Sequence, residues 1–268
     1  MKKANVIIIT LFLFASSSYG QRLYGTAIAA MKCSDGILIA IDSRMTIGAT
    51  FDSGQYADVA YIEGIPKITF INNFPVAFQG SLIFGNSYLF KITSDFNKLL
   101  DANKNVIDVN IAFKDYIKSL NIMTGQKIIS GGYKDGKPFL FYFNGGSDTL
   151  AVDTASVGWV VTGNAYKQMQ KYPNKLYTCN AGKLILNAVI NNTAKSDKLV
   201  GGPVSIIKIN KDNSTEWMQN GFTKNFYTDF TDFIDWIIKN KIMLVPLVKD
   251  GVQYAIKALR LPPYRSKQ

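Results

Sequence analysis

Thr26, Asp42 and Arg44 are the residues of this chain whose types and spacing bring a hydroxyl, an acid and a base together. A threonine hydroxyl attacks a carbonyl only when a nearby base takes its proton or a positive charge lowers its pKa. Histidine, the usual base, is absent from the whole sequence. That absence removes Ser-His-Asp and Cys-His nucleophile systems, imidazole-ligated zinc and histidine acid–base chemistry. The two cysteines, Cys33 and Cys179, are far apart and lack CxxC spacing, which argues against a thiolate metal site. Cys33 lies in an apolar run and reads as a small buried hydrophobe. Whether it pairs with Cys179 in an oxidising compartment is left open by the spacing. A hydrolase built from these residues needs a base other than imidazole.

The element that must position them is a hairpin. Residues 26–33 and 37–43 are apolar, β-branched runs joined by Ser34-Asp35-Gly36, and the glycine takes φ > 0 without a Cβ clash. With Cys33 facing about Ile37, Thr26 falls opposite about Arg44, so the acid, the base and the hydroxyl share the open end. Asp42 and Arg44, two apart, are expected on one face of the strand. Residues 49–64 read as a polar loop. A second hairpin follows, with Lys67-Ile-Thr-Phe-Ile, a turn at Asn72-Asn73, and Pro75 to Gly80. Apolar residues at helical spacing predict helices over 82–101 and 106–122. Strand signals return at 127–133, 138–143 and 149–161. A helix is expected near Gly163 and another over about 181–195. Gly201-Gly202-Pro203 then introduces a strand over 204–209. Strands, two helices, strands, two helices, strands is the order of antiparallel sheets with helices packed outside.

The ends of the chain differ from this middle. Lys2 and Lys3 precede the uncharged apolar run Val6 to Ala15, and Ser18-Tyr19-Gly20 offers small residues for a signal peptidase. An apolar core of about 12 residues is short of the roughly 20 that span a bilayer, so a cleaved leader over 1–20 is expected, with no stable membrane anchor and export to the periplasm or beyond. Residues 221–268 read as a C-terminal extension packed on the domain, with helices near 226–238 and 249–259. The chain carries a formal charge of +11, but its basic residues are scattered without a five-residue block. A solvated basic surface is therefore expected, and nucleic acid is a poor fit. A hydrophobic fraction of 47% with 13% aromatics argues against disorder.

The chain resembles a β-type proteasome subunit, one of the N-terminal nucleophile hydrolases. The opening hairpin carries the likeness through Gly25-Thr26, the Asp35-Gly36 turn, and Ile41-Asp42-Ser43-Arg44 followed by Met45-Thr46-Ile47-Gly48. Lys67-Ile-Thr-Phe-Ile-Asn is similar to the lysine-bearing strand of that family, and Val76-Ala-Phe-Gln-Gly80 to the strand ending at its oxyanion glycine. Gly131-Gly132-Tyr133 with the Pro138–Phe143 strand, and Gly201-Gly202-Pro203-Val204, follow in the family's order. The likeness covers roughly residues 26–210. It implies an α+β fold, a four-layer αββα sandwich of two antiparallel sheets with flanking helices. Its hydrolase domain would run over 26–220.

The resemblance also implies roles. After autolytic loss of a short propeptide, residues 21–25, by cleavage at Gly25, Thr26 is the nucleophile. Its freed α-amine, with an ordinary pKa of about 7.7–8.0, is the base. Lys67 supplies a positive charge to the Thr26 groups, and Asp42 pairs with and orients Lys67. The Gly80 N–H stabilises the oxyanion, a contribution of about 3–4 kcal/mol in other hydrolases. Thr46 docks the substrate backbone as an added strand, while Met45, Phe78 and Leu82 line an apolar pocket. Arg44 is structural near the site. Thr162, in Val161-Thr162-Gly163, keeps the hydroxyl of the family's Gly-Ser-Gly turn. Asp197 keeps the family's acid, but Val200 stands where the family has Ser. No cofactor and no metal are implied. Three functions stay open: a threonine endopeptidase on peptides, with a homo-oligomeric ring as in its relatives; an amidase on a small exported amide; and a silent scaffold subunit of the same fold.

Overall fold

The computed structural model describes residues 22–24, 26–50, 56–80, 83–84, 87–101, 104–120, 126–145, 149–221, 248–249, 252–253 and 259–260. In chain order these form β1 (Arg22–Tyr24), β2 (Ile28–Cys33), β3 (Gly36–Ile41), β4 (Met45–Thr50), β5 (Tyr56–Ile62), β6 (Ile68–Ile71) and β7 (Phe74–Gln79). The short β8 (Ile83–Phe84) and β9 (Ser87–Tyr88) lead into the helices α1 (Leu89–Leu99) and α2 (Val106–Ser119). Then come β10 (Lys127–Lys134), β11 (Lys137–Asn144), β12 (Leu150–Asp153), β13 (Trp159–Val161), α3 (Ala165–Met169), α4 (Cys179–Ser196), β14 (Ser205–Ile209) and β15 (Thr215–Gln219). Three two-residue strands follow, β16 (Val248–Lys249), β17 (Val252–Gln253) and β18 (Leu259–Arg260).

Two five-stranded antiparallel sheets carry the architecture, ordered β12-β11-β10-β7-β6 and β13-β2-β3-β14-β15. Alternation along the strands decides what each face covers. Ile28 and Ala30 of β2, with Ile37, Ile39 and Ile41 of β3, pack against Ile68, Ala77, Ile129 and Leu140 between the sheets. The alternate residues Ala29, Met31, Leu38 and Ala40 face α3 and α4 with Met169, Leu186 and Val189. Val76, Phe78, Phe141 and Phe143 of the other sheet face α1 and α2. The layers therefore run helix, sheet, sheet, helix, which is the αββα sandwich implied by the resemblance.

Both long connecting helices start at caps. Asn105 accepts hydrogen bonds from the N–H groups of Ile107 and Asp108 at the start of α2, and Thr178 accepts one from Ala181 at the start of α4. Phe113 of α2 fixes the outer layer by standing edge-on to Phe78 (6.1 Å) and Phe96 (4.9 Å). Phe113→Ala is expected to cost about 3–5 kcal/mol, read as a lowered urea midpoint, because Phe78 and Phe96 lose their common partner.

Several elements differ from the sequence expectations. The hairpin turn is the two-residue Ser34-Asp35, not a three-residue loop, because Gly36 already pairs with Cys33. The register therefore shifts by one, with Ile28 opposite Ile41. The stretch expected as a loop over 49–64 is largely sheet, since β4 and β5 pair with each other from Met45–Ile62 to Thr50–Tyr56. The helix expected from residue 82 starts at Leu89, after the β8–β9 ribbon; Gly85 and Asn86, poor helix formers, intervene in the sequence. The single strand expected over 149–161 is two strands in different sheets. An Asx turn, with Ala155 N–H donating to Asp153 Oδ1 at 2.9 Å, ends the first. At the C-terminus, the described residues within 249–259 are extended rather than helical, and β18 runs parallel to β5. The helix expected over 226–238 lies outside the described residues.

Candidate active site

The chain enters β2 through Thr26 and Ala27 and leaves β3 at Ile41, so residues 26–27 and 42–44 flank the open end of the hairpin. Asp42 N–H donates to the Ala27 carbonyl at 3.3 Å, while Ala27 N–H turns to the Asp42 carboxylate instead of its carbonyl. Ile28 then directs its polar groups away from β3, toward residue 162. Lys67 immediately precedes β6, and Phe78 N–H donates to its carbonyl at 3.1 Å. The second sheet thereby presents Lys67 beneath the end of the first hairpin.

Lys67 is the centre of the cluster. Its Nζ donates to Thr26 Oγ1 at 2.8 Å, to Asp42 Oδ1 at 3.1 Å and to the Arg44 carbonyl. These bonds occupy the three N–H groups of an ammonium. Asp42 is held in turn by backbone donors. Ala27 N–H reaches Oδ1 at 2.9 Å, while Gly201 and Arg44 reach Oδ2 at 3.0 and 3.2 Å. Thr26 is 5% exposed, and Asp42 and Lys67 are fully buried. Burial pushes the Lys67 ammonium below its ordinary value, with Asp42 opposing that shift. Burial likewise pushes the Asp42 carboxyl up, against the attraction of Lys67 and the N–H groups of Gly201 and Ala27. The result is a cation that gives up its proton more easily than a solvated lysine, in contact with a hydroxyl.

Thr162 supports the strand that bears the hydroxyl. Its Oγ1 accepts from Ile28 N–H at 3.1 Å, and its own N–H donates to the Ile28 carbonyl at 3.0 Å. Thr162→Val keeps the shape but removes the acceptor, leaving the buried Ile28 N–H unpaired. A loss of about 1–3 kcal/mol is expected, measured by chemical denaturation. Asp197 follows α4 and accepts from Asn164 Nδ2 at 3.1 Å and Leu199 N–H at 3.0 Å. It is thus tied to the turn after Thr162, while the buried Val200 side chain supplies no hydroxyl there.

Gly80, at φ +119°, lies two residues beyond Phe78, whose N–H binds the Lys67 carbonyl. Met45 and Phe78 are buried in the core cluster against α1 and α2. Thr46 is buried, pairs through its backbone with Tyr24, and its hydroxyl has no hydrogen-bond partner among the described residues. The strand ends at Ile41, and the side chains of Asp42 and Arg44 take different hydrogen-bond partners, Asp42 taking Lys67. Arg44 turns to Glu63 Oε1 (2.6 Å), the Lys198 carbonyl (2.9 Å) and the Tyr61 ring (4.3 Å). Gly25 and Leu82 lie outside the described residues.

Gly201, which the sequence marks only as the start of a strand, also completes the site. Its N–H binds Asp42, and its carbonyl accepts from Ser43 at 3.2 Å and Arg44 at 2.9 Å. A Cβ at this position would stand 2.4 Å from the Arg44 guanidinium carbon. The signal was the Gly201-Gly202-Pro203 run, which marks a close backbone approach as well as a strand start.

No protein-family model matches the chain, and no curated protein sequence matches it. Solved structures do. Anbu from Hyphomicrobium sp. strain MC1, as its Gly-1 mutant, superposes with a TM-score of 0.57 at 12% identity, over 84% of this chain and 100% of that one. Another Anbu structure from that strain gives 0.53 at 11% identity, over 83% and 99%. Anbu from Yersinia bercovieri, described as an ancestral beta-subunit, gives 0.51 at 12%, over 83% and 99%. The fold is a proteasome-like sandwich. At such identities the likeness speaks for the arrangement of layers alone.

Proposed function

We propose that this chain is a threonine peptidase of the N-terminal nucleophile type. The observation that carries the proposal is the 2.8 Å contact between Lys67 Nζ and Thr26 Oγ1, inside a buried cluster anchored by Asp42. In the uncut chain Thr26 has no free amine, so Lys67 is the group in place to assist attack of the hydroxyl on the Gly25 carbonyl. Cleavage then frees the α-amine of Thr26 as the base for later substrates.

A peptide substrate is favoured by the segment preceding the cut. Arg22, Leu23 and Tyr24 run antiparallel to β4, opposite Gly48, Ile47 and Thr46. A substrate strand added to the same edge would deliver its carbonyl to Thr26 through backbone hydrogen bonds alone. The amidase reading has no comparable support, because a small amide needs no strand edge. We assign residues 1–20 to a removable leader and residues 21–25 to the propeptide, with action outside the cytoplasm on short peptides. A homo-oligomeric ring fits the likeness to a protein described as an ancestral beta-subunit.

The silent scaffold keeps one specific argument, the apolar Val200 where a hydroxyl would steady the amine. N-terminal sequencing of the purified full chain separates the readings. A start at Thr26 with turnover of fluorogenic peptides supports the peptidase, and turnover of acyl amides alone supports the amidase. A start at Gln21 without turnover of either supports the scaffold.

A further inference from the structure

Away from Thr26, the two cysteines meet. Cys33, the last residue of β2, pairs directly with Gly36 across the turn. Directly opposed residues of an antiparallel pair project to the same face, with Cβ positions about 4.5–5.5 Å apart. The Sγ of Cys179 lies 3.0 Å from where a Cβ on Gly36 would stand, so it occupies the face that carries the Cys33 side chain. The approach is confirmed from the helix. Gly182 shares a face of α4 with Cys179, three residues earlier, and a Cβ there would stand 3.1 Å from Cys33 Sγ.

The backbone clasps this pair from both sides. Ser34 N–H donates to the Tyr177 carbonyl at 2.8 Å, and Cys179 N–H donates to Asp35 Oδ1 at 2.7 Å. Both sulfurs are free thiols in the structure and both are buried, Cys33 at 7% exposure and Cys179 at 1%. A hydrogen bond with Cys33, and then burial, push the Cys179 thiol above its ordinary value. Neither residue touches the cluster around Lys67.

We propose that Cys33 and Cys179 form an intramolecular disulfide in the folded chain. The oxidant is the disulfide of a thiol–disulfide oxidoreductase. One chain thiolate attacks it to give a mixed disulfide, and the second displaces the enzyme as a dithiol. The chain gives up two protons and two electrons, which the dithiol carries away. Because both sulfurs are buried, the exchange takes place before α4 docks on β2. Afterwards the same burial shields the bond from reductants. The link joins β2, which begins just after Thr26, to the start of α4, and it closes a loop over most of the described sandwich, which restricts the unfolded chain.

The test uses the full chain, unfolded and reduced, then refolded with oxidised glutathione and a small amount of reduced glutathione. It is then denatured without reductant in excess iodoacetamide. The expected product is a monomer with no label, lighter than the reduced chain by two hydrogen atoms, whose digest yields the Cys33 and Cys179 peptides joined. Reduction is expected to add two labels and to lower the melting temperature by several degrees. In Cys33→Ala the shift on reduction is expected to vanish. Two labels before reduction, glutathione adducts on both cysteines, or disulfide-linked dimers overturn the proposal. None of these readouts depends on Thr26 being a nucleophile.

Discussion

Thr26→Ala is expected to leave the Gly25–Thr26 bond intact and to lower peptide turnover by about a thousandfold or more, since removing a nucleophile in other hydrolases costs at least that. N-terminal sequencing reads the first effect and a fluorogenic peptide assay the second. Thr26→Ser, which keeps the hydroxyl that Lys67 contacts, is expected to cut itself and retain measurable turnover. The fold is expected to survive in both variants, because Ala27 and Ile28, rather than Thr26, make the backbone bonds to Asp42 and Thr162. Equal turnover in Thr26→Ala and the parent would remove the peptidase reading.

The second large effect is on stability. Asp42→Ala strips the carboxylate from the buried Lys67 and leaves the N–H groups of Ala27, Gly201 and Arg44 without their acceptor. A buried charge left without its partner costs about 3–5 kcal/mol, expected as a fall in the urea midpoint. Replacing the lysine as well, in Asp42→Ala/Lys67→Met, removes the stranded charge and is expected to recover part of that loss without restoring turnover. The pH dependence has a definite sign. Burial already holds Lys67 below its ordinary 10.5, and losing the attraction of Asp42 lowers it further. A lysine depressed in the folded state takes up its proton less readily there than in the unfolded chain. Its penalty is complete below the folded pKa and fades as pH rises toward 10.5. The Asp42→Ala chain should therefore gain stability relative to the parent as pH rises into the alkaline range, measured by urea unfolding across that range. A difference between the two that stays constant with pH would mean that removing Asp42 leaves the folded-state pKa of Lys67 where it is in the parent.

Much of this site was legible from residue types. Thr26 after a glycine, an acid sixteen residues on, and a lysine at the head of a strand needed only the hairpin alternation and the resemblance to be singled out. Other features were not legible, for particular reasons. Gly36 has the residue type of a turn, which makes the loop look one residue longer than Ser34-Asp35, yet it is drawn into the strand by pairing with Cys33. The strands β4 and β5 looked like loop because each depends on the other, across residues of mixed polarity. Arg44 was expected beside Asp42. The end of β3 releases it to Glu63, whose place is set by β5, an element the sequence did not disclose.

What the sequence determined by itself is the faces. Period-two alternation separates Ile28 and Ala30 from Ala29 and Met31, and Ile37 and Ile39 from Leu38 and Ala40, whereas packing decided which set meets the other sheet and which the helices. The absence of histidine likewise fixed which chemistries were open. Only the tertiary structure decided the partners, because Asp42 is completed by Gly201, Ile28 by Thr162 and Cys179 by Cys33 and Asp35, all more than a hundred positions apart. Such contacts exist only once two sheets and α4 have closed around the hairpin, and no local preference along the chain encodes them.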